Sequence, residues 1–254
     1  MNELLSASRQ GWARHPAVVR IGRYIDLDRS DLDDLYRLIE GQTTIKKRKE
    51  LIIDGDRYRK LCFVEDGFAV RYKLLRNGKR QIINVVMPGD VVGIPSSFLE
   101  RAAWSVTAVT DLKFQVCSIE DFVGLCYRRP QFGLVLTWLA VQELAILSEH
   151  ITNTGRRTPL ERLAHFLLEM HNRLALVGRA GEASFDLPFS QEVIGDALGL
   201  SVPHLNRMLA KLRADRLLAV DGRRIVFADV SALEVLGHFQ PMKLARIPVP
   251  HNFG

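Results

Sequence analysis

The sequence predicts an α+β fold in which a β-roll, one long helix and a helical domain follow one another along the chain. Short β-branched and aromatic segments between turn residues fill the region from about residue 43 to 118, which favours a barrel or roll. Beyond Pro130 the apolar period lengthens from two residues to about 3.6, and the last third holds two short helices around a glycine. The length suits two ordinary domains. We expect an N-terminal domain at 1–130, the long helix at 131–155, a C-terminal domain at 156–240 and a tail at 241–254.

The composition is that of a folded globular protein. Hydrophobic residues make up 47% and charged residues 25%, which excludes disordered, collagen-like and disulfide-scaffold chains. The formal net charge is +6, so nucleic acid or another anionic surface is a candidate partner. The three cysteines are odd in number and form no Cys-x-x-Cys pair, which favours a reducing compartment over a disulfide framework or a thiolate metal site.

No membrane span is expected from the sequence. The longest apolar stretch, around 132–141, is shorter than the roughly 18–20 residues that a spanning helix needs, and the N-terminus is polar. The sequence therefore predicts a cytoplasmic protein with no membrane partner.

The N-terminal half begins with loop and helix and then becomes strand-rich. A helix is expected at 28–40, where leucines recur at helical spacing. Asn77 and Gly78 predict a tight hairpin turn, because this pair supplies the two positive φ angles of such a turn. The predicted strands are 43–47, 51–53, 61–64, 67–75, 80–86, 104–108 and 111–118.

The segment 131–154 predicts one helix of about 36 Å, at 1.5 Å per residue. Its apolar stripe needs cover from the neighbouring domain or from a second copy of the chain, and packing wholly within one chain is a further alternative. Gly155 and Pro159 mark the expected hinge at 154–159. The candidate dimer residues on this helix are Leu134, Trp138, Val141, Ala145 and Ile151.

Residues 189–213 have the features of a helix-turn-helix. Ser190 is placed to cap the first helix, Gly199 permits the turn, and Ser201 is placed to cap the second helix, with Pro203 in its first turn. The polar N-terminal end of the second helix stays exposed, and we expect that end to enter the DNA major groove. A helical hairpin with solvated arginines is the structural alternative.

Basic residues are concentrated in and after the second helix. Arg207 is the candidate for direct base readout, because a guanidinium can donate two hydrogen bonds to a guanine edge. Ser201, Lys211 and Arg213 suit phosphates, and a basic β-hairpin after residue 217 is expected to form a wing. The full candidate DNA-binding set is Ser190, Gln191, Ser201, Val202, Pro203, His204, Asn206, Arg207, Lys211, Arg213, Arg223 and Arg224.

The segments 191–213 and 219–225 resemble the winged helix-turn-helix of the Crp/Fnr family of bacterial transcription regulators. In the N-terminal half, 64–67, 72–75, 77–82 and 87–93 are similar to that family's β-roll, a cyclic-nucleotide-binding-like jelly roll that serves as effector domain. The resemblance implies a sequence-specific transcription regulator. It also implies a homodimer joined along the long helix, a double-stranded DNA site that is an inverted repeat, and contact with RNA polymerase.

The resemblance is incomplete where cyclic-AMP-binding members hold their nucleotide with a Gly-Glu and an Arg-Ser pair. Here Arg101 matches, but Ile94 and Ala102 stand in place of Glu and Ser. Each unpaired ligand group costs about 1–3 kcal/mol, so we expect no response to cyclic AMP and leave open an unidentified small-molecule effector. The tentative effector-pocket residues are Gly93, Arg101, Ala102, Leu147 and Ser148.

No cofactor, metal site or enzymatic activity is predicted. The N-terminal cysteine cluster of the oxygen-sensing members is absent from the sequence, and no nucleotide-binding or zinc-protease motif occurs. Cys126 is a redox candidate because Arg128 and Arg129 are placed to lower its thiol pKa, although a buried apolar role is the alternative. The alternative function is a signal-sensing or scaffold protein with a degenerate helix-turn-helix that acts through protein contacts.

Overall fold

The computed structural model describes residues 12–243, 245 and 246 of the 254-residue chain. The fold is α+β, with the strand-rich part first and the helical part second, as predicted. The strands are β1 Gln42–Ile45, β2 Glu50–Ile52, β3 Lys60–Asp66, β4 Ala69–Leu74, β5 Arg80–Val86, β6 Val91–Val92, β7 Ser105–Ala108, β8 Leu112–Ser118, β9 Ser184–Asp186, β10 Leu218–Asp221 and β11 Arg224–Phe227. The helices are α1 Pro16–Ile21, α2 Arg29–Arg37, α3 Ile119–Arg128, α4 Gln131–Arg156, α5 Pro159–Ala175, α6 Gln191–Leu198, α7 Val202–Ala214 and α8 Val230–Gly237.

Two four-stranded sheets form the predicted roll. Their strand orders are β1-β8-β3-β6 and β2-β7-β4-β5. In the first sheet β3 and β8 are antiparallel, with Leu61 opposite Cys117 and Phe63 opposite Gln115. The buried apolar side chains of both sheets fill the roll, and the seven predicted strands are found within two residues of their expected ends. Only β6, which is two residues long, was missed in this region.

The turn between β4 and β5 has a different backbone conformation from the predicted one. The Gly78 amide donates to the Leu75 carbonyl at 2.9 Å, and the Leu75 amide donates to the Lys79 carbonyl at 2.8 Å. Gly78 alone has a positive φ, of 78°, so the expectation that Asn77 shares it is wrong. The turn is a three-residue loop that ends in a left-handed glycine, and the Asn77 side chain accepts from the Lys79 amide instead.

An N-terminal segment packs into the core beside the roll. His15 caps α1 by accepting from the Ala17 amide, and Trp12 and Ile21 are almost fully buried. The Arg20 guanidinium, also buried, pairs with Asp90. The helices α1 and α3 were not predicted, because at six and ten residues they are too short to show a clear helical period.

Helix α4 is two residues longer than predicted, since it continues through Gly155 to Arg156. The break falls instead at Thr158, whose side chain and that of Glu161 form a capping box at the start of α5, with Pro159 in its first turn. By length and composition α4 is also apolar enough to cross a membrane, and 28% of its most apolar 18-residue stretch is buried. The sequence-based statement that no segment is long enough is therefore wrong for α4.

Contacts divide the chain into two units. Unit 1 consists of Met1–Ala69, Val86–Leu144 and Lys243–Gly254, and unit 2 of Val70–Val85 and Ala145–Met242. Unit 2 thus includes most of the β4–β5 hairpin together with α5 to α8 and a three-stranded sheet of order β10-β11-β9. Most residues of the predicted tail lie outside the described part of the chain. Among the tail residues that are described, Arg246 forms an ion pair with Asp26, and both belong to unit 1.

Candidate DNA interface

Helices α6 and α7 are joined by a turn that depends on two glycines. Gly199 ends α6 in the left-handed conformation, with φ of 66°. The Leu200 amide then donates to the Gly195 carbonyl at 2.9 Å. A Cβ on Gly195 would lie 2.6 Å from the Leu200 carbonyl oxygen, so the turn can close only over a glycine. Sequence reasoning identified Gly199 and missed Gly195, although a glycine inside a short helix is itself a signal.

One face of α7 is anchored in the core of unit 2 and the other is open. Leu205 and Leu212 are fully buried, which fixes the rotation of the helix. Within the candidate set, the exposed residues of α7 are Pro203, Asn206, Arg207, Lys211 and Arg213, while Val202 and His204 are half-buried. The structure therefore presents the basic side chains of α7 on one solvent-facing surface.

The N-terminal end of α7 has amides available to an anion. Ser201 occupies the cap position and is exposed, but its hydroxyl makes no cap hydrogen bond, which corrects the predicted capping role. Ser190 does cap α6, accepting from the Val193 amide at 3.3 Å. The Asn206 amide donates to Gln191 at 3.0 Å, so two candidate residues link the two helices to each other. Uncapped N–H groups at a helix start favour phosphate oxygens.

The wing is a β-hairpin formed by β10 and β11, with a two-residue loop. Asp221 pairs with Arg224 across it, and Gly222 has a positive φ of 58° at the tip. Arg223 and Arg224 are both exposed, and the Arg224 guanidinium donates to the Ser184 hydroxyl at 2.9 Å. Strand β9, which carries Ser184 and is only three residues long, was not predicted.

One of the basic residues on this surface is already paired with an acidic residue of the same helix region. Lys211 forms an ion pair with Asp215, one turn later, at 3.2 Å. Both partners are about half exposed, so the pair is weak and a phosphate can compete for the lysine.

The candidate dimer residues on α4 differ in their exposure to solvent. Val141 and Ile151 are exposed, at 47% and 70%, and Leu144 is exposed at 65%. Trp138 is only 3% exposed and stacks on Tyr24 with ring centroids 5.0 Å apart. Its predicted place in a dimer contact is therefore wrong, since it belongs to the core of its own unit. Leu134 and Ala145 are half-buried.

The tentative effector residues divide between the units. In unit 1, the Arg101 guanidinium donates to the Gly55 carbonyl at 2.9 Å. Ala102 is buried, and a Cβ on Gly93 would meet the Lys60 carbonyl at 2.1 Å, so this glycine permits a close backbone approach. Leu147 and Ser148 belong to unit 2, where Leu147 is half-buried and Ser148 exposed.

The structure does not support the expected lowering of the thiol pKa of Cys126. Burial raises the pKa of its thiol, so the thiolate is disfavoured. Arg129, expected to lower that pKa, binds Asp34 at 2.9 Å and the Ser30 hydroxyl instead. Burial also raises the pKa of Cys62 and of Cys117 to about 12. Among the described residues, no group of three or more His, Cys, Asp or Glu side chains could hold a metal ion.

Two further polar links within unit 2 were missed. The Arg80 guanidinium makes two hydrogen bonds to one carboxylate oxygen of Asp196 on α6, at 2.6 and 2.9 Å. Arg162 donates to the Leu198 carbonyl at the end of α6, at 3.2 Å. Neither has a sequence signal, because the partners lie 116 and 36 residues apart.

Comparisons with known proteins agree with this geometry. Residues 161–236 match the family described as Crp-like helix-turn-helix domain, and residues 42–129 match the cyclic nucleotide-binding domain. The nitrogen fixation regulation protein FixK of Bradyrhizobium diazoefficiens is 32% identical over 174 residues, 68% of this chain and 72% of that protein. The chain belongs to the Crp/Fnr family. It is a DNA-binding transcription regulator of the Crp/Fnr type.

Other Crp/Fnr proteins show the same likeness. The transcriptional activator protein FnrL of Cereibacter sphaeroides is 28% identical over 211 residues, 81% of this chain and 84% of that protein. The solved structure of FixK2 from Bradyrhizobium japonicum superposes with a TM-score of 0.71 and 29% identity, over 77% of this chain and 96% of that one. The predicted family and fold class are thereby confirmed.

Proposed function

We propose that this chain binds an inverted-repeat DNA site through the exposed N-terminal half of α7, with Arg207 reading a base. The observation that carries the proposal is the open basic face of α7 beside an uncapped helix start. Arg207 makes no ion pair with any described residue, so its guanidinium meets a guanine edge without giving up a partner. The flanking phosphates are bound by Ser190, Gln191, Ser201, Lys211, Arg213 and the wing arginines Arg223 and Arg224.

The dimer forms along α4. Thr137, Val141, Leu144, Ser148 and Ile151 are all exposed and follow one another at alternating intervals of four and three residues. This heptad spacing is typical of a seam between two paired helices. A second copy of α4 accounts for the exposed apolar face without a membrane.

The effector, if one acts, is not cyclic AMP. Ile94 lies in an apolar core cluster and Ala102 is buried, so neither offers a polar group to ribose or phosphate. Arg101, the one matching residue, is already bonded to the Gly55 carbonyl. The relatives FnrL and FixK carry names that refer to activation and to nitrogen fixation, not to a cyclic nucleotide. We further propose that the protein acts in the cytoplasm, contacts RNA polymerase and catalyses no reaction.

The function is tested by binding of the full chain to genomic fragments followed by footprinting. A protected inverted repeat with half-sites about one helical turn apart is expected. Arg207→Ala should weaken the specific site by about 1–3 kcal/mol and relax preference at one base pair. The matched variant Lys211→Ala should weaken all sequences alike.

Two outcomes contradict the proposal. Equal losses on every sequence from Arg207→Ala would remove that residue from base readout. Binding that does not fall with rising salt would favour the alternative function, a scaffold that acts through protein contacts.

A further inference from the structure

The β4–β5 hairpin carries a concentration of positive charge that the DNA-binding face does not include. Residues 69–86 hold five basic residues and no acidic one. At the tip, Arg76 and Lys79 are exposed and form no ion pair with any described residue. The tip is also well ordered by its own bonds, since the Lys79 amide donates to Asn77 at 3.0 Å and the Gly78 amide to Leu75 at 2.9 Å.

This hairpin is fixed to the first helix of the helix-turn-helix. Arg80, directly after the tip, donates twice to the Asp196 carboxylate on α6, and Gln81 donates to the Asp196 carbonyl at 3.2 Å. The Arg80 guanidinium also lies 5.6 Å from the ring centroid of Tyr72, across the hairpin.

A second attachment lies deeper in unit 2. The buried Arg173 of α5 donates to the Val85 carbonyl at 2.8 Å and to Asn84 at 3.3 Å. The same guanidinium binds Glu169 at 3.0 Å, which neutralises its charge. Strand β5 is therefore bonded to two helices of unit 2: Arg80 at its start binds α6, and Val85 near its end binds α5.

The attachment places the tip close to where α6 meets DNA. In a helix-turn-helix the first helix crosses the DNA backbone. Asp196 is five residues after Gln191, so about 7.5 Å of helix axis separates the hairpin contact from the start of α6. That separation is within the Debye length of about 8 Å at physiological salt, and long lysine and arginine side chains shorten it further.

We propose that the hairpin tip is an additional DNA-backbone contact, in which Arg76 and Lys79 neutralise phosphates outside the bases read by α7. The proposal rests on the proposed function, because it requires α6 and α7 to be on DNA. An acidic protein surface is the competing partner. The attachment of the hairpin to α6 favours DNA, because it holds the cations beside the element that the phosphates approach.

The test is the salt dependence of DNA affinity for the full chain on its specific duplex and on a scrambled duplex. The variant is Arg76→Ala combined with Lys79→Ala. The control is Lys47→Ala combined with Lys49→Ala, which removes the same two charges from exposed positions in unit 1. If each tip cation neutralises one phosphate, the slope of log affinity against log salt should become shallower by about 1.8 per chain, with equal affinity losses on both duplexes. The control should keep the wild-type slope.

A second variant separates position from charge. Asp196→Asn raises the net charge by one, so diffuse attraction alone predicts tighter binding. Release of the hairpin from α6 predicts weaker binding and a shallower slope, which is the result expected here.

Three results would overturn the proposal. The tip variant could keep the wild-type slope, the control could lose as much slope as the tip variant, or the tip variant could bind DNA normally and fail only in transcription, which would assign the tip to a protein partner. A wild-type chain that binds no duplex would refute the proposed function itself, and the hairpin contact with it.

Discussion

The stability of unit 1 should fall in mild acid because of one buried histidine. His15 is 3% exposed and packs against Trp12, with ring centroids 4.7 Å apart and the rings tilted by 37°. Desolvation by burial lowers its pKa from 6.5 to about 4, against the opposing influence of Glu65. The folded protein therefore keeps this imidazole neutral at a pH where the unfolded chain protonates it.

The size of the effect follows from proton linkage. Because the pKa is depressed in the folded state, stability is complete above pH 6.5 and is lost as the pH falls below it, until the folded protein also protonates near pH 4. At 1.36 kcal/mol per pKa unit, His15 costs about 2 kcal/mol between pH 7 and pH 5, and about 3 kcal/mol in the limit below pH 4.

His15→Asn is the informative variant, since asparagine can still accept from the Ala17 amide but does not titrate. Urea unfolding of both proteins at pH 7 and pH 5 should be followed by tryptophan fluorescence. All three tryptophans, Trp12, Trp104 and Trp138, lie in unit 1, so the signal reports the unit that contains His15. The wild type should lose about 2 kcal/mol more than the variant between the two pH values. Equal losses in the two proteins would show that His15 is not held neutral, and the burial argument would fail.

Three more variants test other parts of the structure. Gly195→Ala should destabilise unit 2 by about 1–3 kcal/mol in thermal unfolding and weaken DNA binding, because its Cβ would be 2.6 Å from a carbonyl oxygen. Gly133→Ala, in a helix position with nothing within 4 Å, is the control and should stabilise by up to about 1 kcal/mol. Leu144→Lys should convert the dimer to monomers in sedimentation, and a persistent dimer would place the interface elsewhere. Cys126→Ser should leave the response of DNA affinity to peroxide unchanged, since burial raises the pKa of that thiol; a lost response would restore the redox role.

The parts of the fold that the sequence predicted are those with a local signal. Strand β5 was placed at 80–86 because β-branched residues follow the Asn77-Gly78 turn signal there, and α6 and α7 were placed by Gly199, Pro203 and the two serines. The helix-turn-helix was recognisable for the same reason. The residues that identify it lie within 25 consecutive positions, so the motif can be recognised without knowledge of its distant contacts.

The parts that were missed depend on contacts between distant residues. Helix α1 is short and contains Arg20, which is buried only because Asp90, 70 residues away, pairs with it. Trp138 looked like one more member of an apolar stripe, but it lies in the buried core of unit 1 and stacks on Tyr24, which is distant in sequence. The pKa of Cys126 was misjudged for a related reason: Arg129 is near it in sequence but is bound to Asp34.

Whether a basic surface of this protein is a candidate DNA contact depends on its position as well as on its charge. Lys47 and Lys49 are as exposed and as basic as Arg76 and Lys79, so charge alone would rank the two surfaces equally as sites for an anionic partner. What separates them is the Arg80–Asp196 pair, which fixes only the hairpin to a helix of the DNA-binding motif. Because that pair is about one-third exposed, its own contribution to stability is small, and its effect is on placement. A surface pair of this kind therefore matters to function through the position of its neighbours, which is why Asp196→Asn should weaken DNA binding while leaving the fold intact.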